Sequence, residues 1–212
     1  MLNNIGILDS GIGSLTIARA LSKSLPTVHI NILMDTAHAP YGNKPQSLIQ
    51  ERIFKLSTDL INRGSQLIIL ACHTASALFP SLASELPVPV LDMTTPTLSS
   101  IPSHGSYALI GTPNTIHSNH YQRAVPRSPN HALACPNLAT LAEQKFKGKE
   151  VQAYVTSELK TLQHKEIDSL ILCCTHYSHL STQISHALPT MRQIDPTQAQ
   201  IRQAIRIIKE DS

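Results

Sequence analysis

Two apolar runs in this chain end alike, and that likeness narrows the folds open to it. Leu67-Ile68-Ile69-Leu70-Ala71 runs into Cys72-His73-Thr74, and Leu170-Ile171-Leu172-Cys173 runs into Cys174-Thr175-His176. Short unbroken apolar runs are the pattern of strands covered on both faces, as in a parallel sheet. Each run delivers a cysteine, a threonine and a histidine to a strand's C-terminal end, where ligands bind in open α/β sheets. Two such ends in one chain predict a pocket with a thiol on each side.

Strand-like runs alternate with helix-period segments along most of the sequence. Strands are expected at 4–8, 29–34, 67–71 and 88–91, with helices at 14–25, 45–63 and 76–85. The pattern then restarts, with strands at 107–111, 131–134, 169–173 and 191–194. Helices are expected there at 115–125, 137–145, 150–162, 178–188 and 197–209. This βαβα order predicts an α/β protein of two pseudo-twofold-related α/β domains, each a mostly parallel sheet covered by helices, with the site in the cleft between them. The turn-rich stretch 94–105 marks the boundary. Residues 1–94 together with a returning segment 190–212 form one expected domain, and 95–189 the other. The spacing supports a repeat, because Cys72 follows the strand-end Asp9 at nearly the distance by which Cys174 follows the strand-end Thr112.

Composition limits the function classes. With 212 residues, 42% of them apolar, the chain can build a substantial core. The net charge of +3 is small and the basic residues are scattered. Lys145, Lys147 and Lys149 form the densest group, better read as a solvated turn than as a nucleic-acid patch, so no nucleic acid is expected as a partner. No apolar run approaches a membrane span, and Met1-Leu2-Asn3-Asn4 does not open a secretory signal. Cysteines 72, 135, 173 and 174 lack the spacing of a disulfide framework, which fits a cytoplasmic protein with free thiols. His38, His104 and His117 read as surface residues.

The motifs have plain readings as well as chemical ones. Asp9-Ser10-Gly11-Ile12-Gly13-Ser14 joins a strand to a helix, where free N–H groups can meet an anion. No Gly-Lys-Ser/Thr follows, and Thr16 stands where a dinucleotide fingerprint has its last glycine. Taken alone, the motif reads better as a βα turn with Asp9 or Ser10 as a cap. Pro40-Tyr41-Gly42 reads locally as a turn. Cys72 and Cys174 could each be a small buried hydrophobe, but the Thr and His beside them are residues a packed core does not need. Cys173 should point to the opposite strand face from Cys174 and belong to the core. Cys135 also reads as structural. Zinc at Cys72, His73, Cys174 and His176 is the rival reading; short Cys-x-x-Cys spacing is missing, so no metal is expected.

Taken in order, Asp9-Ser10-Gly11-Ile12-Gly13-Ser14-Leu15-Thr16, Pro40-Tyr41-Gly42, Ala71-Cys72-His73-Thr74-Ala75-Ser76, Ala134-Cys135-Pro136 and Cys174-Thr175-His176-Tyr177 resemble the motifs of the glutamate racemases, in the cofactor-independent aspartate/glutamate racemase superfamily. The resemblance runs from Ile5 to Asp195. It implies that Cys72 and Cys174 are the acid/base pair, assisted by Asp9 and by His176 respectively, with Glu143 near the second thiol. It implies further that Ser10, Tyr41, Gly42, Thr74 and Thr175 hold the substrate, with Pro40, His73, Thr112 and Thr115 at the cleft. The chain departs from the family pattern at His73, where the family has Asn, and at Ser14, Cys173 and Ser178.

A thiol on each side of Cα suits removal of a proton from one face and its return to the other, since a reference pKa of about 8.5 lets one sulfur wait as thiolate and the other as thiol. No cofactor is then expected. Three functions stay open: a glutamate racemase supplying D-glutamate for peptidoglycan, a racemase for aspartate or another amino acid, and a binding protein on the same fold with little turnover. The partner is a small amino acid in each case, and a homodimer is implied by the resemblance alone.

Overall fold

The computed structural model describes residues 2–125, 127–144 and 148–211. Strands β1 (Asn4–Asp9), β2 (His29–Met34), β3 (Leu67–Leu70) and β4 (Val90–Leu91) form one sheet in the order β2-β1-β3-β4. Strands β5 (Tyr107–Gly111), β6 (His131–Ala134), β7 (Ser169–Cys173) and β8 (Arg192–Ile194) form a second in the equivalent order β6-β5-β7-β8. Every pairing is parallel. The repeat expected from spacing is therefore present in the topology: β1 corresponds to β5, and β3 to β7. In each sheet the chain reverses its winding between those two central strands, and the loops beyond their C-terminal ends open a crevice.

The first sheet is buried on both faces. Helix α1 (Ser14–Ser24) turns Ile17, Ala18 and Leu21 onto Ile5, Ile7, Leu67 and Ile69. Helix α2 (Gln46–Asn62) turns Ile49, Ile53 and Leu60 onto the opposite face, against Leu8, Ile68 and Leu70. With Leu56 between them, those side chains take i, i+4, i+7 and i+11 spacing, which gives one apolar stripe, and each buried side chain contributes about 1.5–3 kcal/mol. Gly6 lets α2 lie close, since a Cβ there would stand 3.0 Å from Leu60 Cδ1.

Helix α3 (His73–Leu78) starts at the strand end itself, three residues earlier than the periodicity predicts. Ser76 explains the start: its N–H and its hydroxyl both donate to the Cys72 carbonyl, at 2.9 and 2.8 Å. The expected continuation to residue 85 gives way to 3-10 turns at Phe79–Ser81 and Ala83–Glu85, because Pro80 has no N–H to extend the ladder. The 94–105 stretch is not all turn. Thr94–Ser100 is helix α4, started by Asp92 accepting the Thr94 N–H at 2.8 Å.

In the second half, the helix expected at 115–125 is two, α5 (Pro113–His117) and α6 (His120–Ala124), parted at Asn119 with φ 56°. Helices α7 (Leu138–Glu143), α8 (Lys149–Glu158) and α9 (Ser181–Ala187) cover the face of β5 and β7 that carries Ala108, Ile110, Leu170 and Leu172. Ser178 lies in a 3-10 segment, Thr175–Leu180, ahead of α9. The other face, with Tyr107, Leu109, Ile171 and Cys173, packs on Ala77 and Met93 of the first half. Cys173 and Cys174 thus face opposite layers, and Cys135 is buried with α7. Helix α10 (Thr197–Glu210) returns from β8 to the first sheet, burying Ile201, Ala204 and Ile208 there. Gln200 Nε2 donates to the carbonyls of Leu70 (3.0 Å) and Leu91 (3.3 Å). Of the basic group, Lys145 and Lys147 lie outside the described residues, and Lys149 opens α8.

Candidate active site

The C-terminal ends of β3 and β7 meet at one cleft. Its lining comprises Ser10, Pro40, Tyr41, Gly42, Cys72, His73 and Thr74 from the first half, with Thr112, Ala139, Cys174, Thr175 and His176 from the second. Asp9, Thr115 and Glu143 stand behind this lining. All fourteen residues singled out in the sequence are therefore at the cleft or touching a residue that is. Ala139, in the first turn of α7, carries no chemistry that sequence patterns could flag.

On the first side, Asp9 ends β1 and is 1% exposed. Its Oδ1 accepts the Ser10 N–H at 2.7 Å and its Oδ2 the Ser14 N–H at 2.8 Å; the N-cap position itself is Gly13, which has no side-chain cap, so the expected Asp9 or Ser10 cap is replaced by Asp9 reaching the helix's first N–H from the strand end. Burial pushes the Asp9 carboxyl above the usual range, against the pull of His176 and those N–H groups. Ser10 Oγ lies 3.6 Å from Cys72 Sγ. Burial, and next the Asp9 charge, push the Cys72 thiol up to about 12. In the free protein Cys72 is a thiol at neutral pH.

On the second side, Cys174 Sγ lies 3.7 Å from His176 Nδ1, and His176 Nε2 lies 2.9 Å from Glu143 Oε1. Burial alone would depress His176. The Cys174 sulfur and the Glu143 carboxylate outweigh it and hold the imidazole up at about 11. The ring, placed between a sulfur and a carboxylate, is thereby biased toward its protonated form.

The halves interlock around these groups. Thr74 Oγ1 lies 2.8 Å from Thr112 Oγ1 and 3.1 Å from Thr115 Oγ1, and the last two are 2.9 Å apart. A Cβ on Gly11 would collide with Glu143 Oε1 and lie 2.7 Å from His176 Nε2; one on Gly13 would collide with Thr175 Oγ1. The glycines of the β1 loop serve close approach across the cleft, a use the motif alone could not tell from a plain turn. Asn114 Nδ2 donates to the carbonyls of Tyr41 (3.1 Å) and Lys44 (2.8 Å), and Asn43 Nδ2 to that of Pro136 (3.0 Å). Neither Asn stood out in the sequence.

His73 is 1% exposed. Thr97 Oγ1 donates to the Met93 carbonyl at 2.6 Å and lies 3.4 Å from His73 Nε2. With its one proton so used, that hydroxyl can only accept, which makes Nε2 the protonated nitrogen of His73. Nδ1 is left a bare, buried acceptor without a partner among the described residues. The ring also leans on Tyr121, centroids 5.7 Å apart, and burial lowers its pKa to about 3. His73 is neutral. Tyr41 lines the cleft, and its hydroxyl donates to Asp35 Oδ2 at 2.7 Å. His38, read as a surface residue, bonds the same carboxylate through Nδ1 at 2.9 Å.

Comparison with known proteins points one way. The family model described as Asp/Glu/hydantoin racemase matches residues 13–204. A glutamate racemase of Corynebacterium diphtheriae is 36% identical over 197 residues, 88% of this chain and 74% of that protein. The crystal structure of glutamate racemase from Thermus thermophilus in complex with β-chloro-D-alanine superposes with TM-score 0.88 at 31% identity, covering 99% of this chain and 82% of that one. Glutamate racemase from Francisella tularensis in complex with D-glutamate superposes with TM-score 0.90 at 30% identity and the same coverage.

Proposed function

The chain belongs to the glutamate racemases of the Asp/Glu/hydantoin racemase family, and we propose that it interconverts L- and D-glutamate by passing the α-proton between Cys72 and Cys174. One observation carries the reading: two topologically equivalent strand ends bring these thiols to a single cleft. In one direction a thiolate on one side removes the proton from Cα, leaving a carbanion, and the thiol on the other side donates its own proton to the opposite face. The sulfurs then hold exchanged protonation states, ready for the reverse direction. Asp9 assists at Cys72. His176, backed by Glu143, gives Cys174 a cationic neighbour during transfer.

Ser10, the Pro40-Tyr41-Gly42 loop, Thr74, Thr112, Thr115 and Thr175 supply hydroxyls and backbone N–H groups for the carboxylates and the amino group. Donors held at the α-carboxylate stabilise the carbanion. No redox or carbonyl-trapping step enters this route, so it needs no cofactor.

D-glutamate so formed would feed peptidoglycan synthesis. Among the described residues no helix is long and apolar enough to cross a membrane, and the four cysteines are free, which supports placement in the cytoplasm. A homodimer is the assembly the family resemblance implies; sedimentation of the purified chain tests it. Circular dichroism of L- and D-glutamate tests the activity, with decay of both signals expected. Decay from aspartate alone would change the substrate, and silence from all amino acids would overturn the reading.

A further inference from the structure

The Asp35 carboxylate is 4% exposed and is surrounded by donors. Its backbone N–H donates to the Asp9 carbonyl at 3.0 Å, which extends the β1–β2 ladder one residue past Met34 and ties Asp35 to the strand end that starts the site. Arg52, on α2, grips the carboxylate with both arms of its fork, Nε to Oδ2 at 2.9 Å and Nη2 to Oδ1 at 3.1 Å. Tyr41 OH takes a second place on Oδ2, and His38 Nδ1 lies against Oδ1. Such a planar bidentate pair fixes geometry in a way a single charge does not.

The network holds a loop rather than the core. Residues 36–45 lie between β2 and α2 and carry Pro40, Tyr41 and Gly42 to the cleft. From the first half the loop is held by Asp35 through the Tyr41 ring. From the second half it is held by Asn114 on the Tyr41 carbonyl. Between these ties the Gly42 backbone presses on Thr112, where a Cβ would come within 2.5 Å of Thr112 Cβ. A shift of Tyr41 therefore moves the loop against Thr112 and the three-threonine cluster.

We propose that Asp35 and Arg52 are positioning residues for racemisation: their ion pair, acting through the Tyr41 hydroxyl, sets the height of the Pro40-Tyr41-Gly42 loop over the cleft and so the affinity for substrate. The inference rests on the reading that this cleft binds glutamate. It assigns Tyr41 a structural hydroxyl, and it separates the loop's role from proton transfer at the sulfurs.

The test compares wild type with Arg52→Lys, Arg52→Ala and Tyr41→Phe, reading kcat, KM, thermal midpoint and the Kd for D-glutamate by calorimetry. Arg52→Ala and Tyr41→Phe should each raise KM and Kd about tenfold, the effect of losing one charge-assisted hydrogen bond, with kcat within about threefold of wild type. Arg52→Lys should recover only part of the loss, because an ammonium cannot span both oxygens. Combining Arg52→Ala with Tyr41→Phe should cost less than the product of the two single effects, since both act on one loop. Unchanged KM and Kd, or a fall in thermal midpoint and kcat at constant KM, would overturn the proposal. If wild type binds D-glutamate without racemising it, the family reading of turnover fails, while the Kd series still decides this one.

Discussion

Nε2 of His176 lies 2.9 Å from Oε1 of Glu143 across the second half of the molecule, from the loop after β7 to the end of α7. His176 is 3% exposed and Glu143 24%. Against burial, the Cys174 sulfur and next the Glu143 carboxylate raise the histidine's pKa in the folded protein well above its ordinary 6.5. A raised histidine contributes stability that is complete below its unfolded pKa and disappears as pH climbs through the folded one. Glu143→Gln should therefore cost about 1 kcal/mol at pH 6.5, with the deficit fading toward pH 11. Its turnover should fall about 10²-fold at neutral pH. Urea melts at several pH values check the first outcome, and steady-state rates the second.

His73 should show the opposite pH dependence. Its folded pKa, about 3, lies below the ordinary 6.5 because burial disfavours the imidazolium. The stability tied to the neutral ring is present above pH 6.5 and is lost as pH falls toward 3. Between pH 6.5 and 4 wild type should lose on the order of 3 kcal/mol through this residue. His73→Asn should flatten that part of the acid-unfolding curve. An identical acid limb in both proteins would show that His73 is not the titrating group. If His73 limits turnover, His73→Asn should also raise activity on glutamate.

Gly11→Ala should leave most of the fold in place and disable the second side of the site. The added methyl would press on Glu143 Oε1 and His176 Nε2, groups that hold Cys174's environment. The expected result is a kcat at least about tenfold lower, with far-ultraviolet dichroism unchanged. Wild-type kcat would show that the Glu143 side chain can yield without moving His176.

Much of this site was legible because strand ends are set by local pattern. The runs at Leu67–Leu70 and Ser169–Cys173 are fully buried, and buried apolar runs that stop abruptly at polar residues leave few alternatives. The helix starts were less legible. At α3 the decisive contact is Ser76 reaching back to the Cys72 carbonyl, and at α4 it is Asp92 accepting the Thr94 N–H ahead of a run of threonines and serines with poor helix propensity. Asp35, Arg52 and Asn114 escaped notice for another reason. Asn114 acts on a carbonyl 73 residues away, and Arg52, though only 17 residues from Asp35, looks like any solvated charge until its carboxylate is seen.

Cys72→Ser and Cys174→Ser should each lower racemisation by 10³-fold or more, since a hydroxyl is a poor base at neutral pH. Both proteins should fold, because a serine differs from a cysteine by one atom and each site already offers polar neighbours, Ser10 for one and His176 for the other. Wild-type turnover in either variant would exclude that sulfur from the proton path.

Deuterium incorporation at Cα during the first few per cent of a reaction run in D2O tests the two-thiol account most directly. Starting from either enantiomer, the newly formed enantiomer should carry solvent deuterium while the unreacted one stays unlabelled, because one sulfur removes the proton and the other delivers its own. Equal labelling of both enantiomers, or a product that keeps the substrate's own hydrogen, would point to a single base and contradict the shared roles of Cys72 and Cys174.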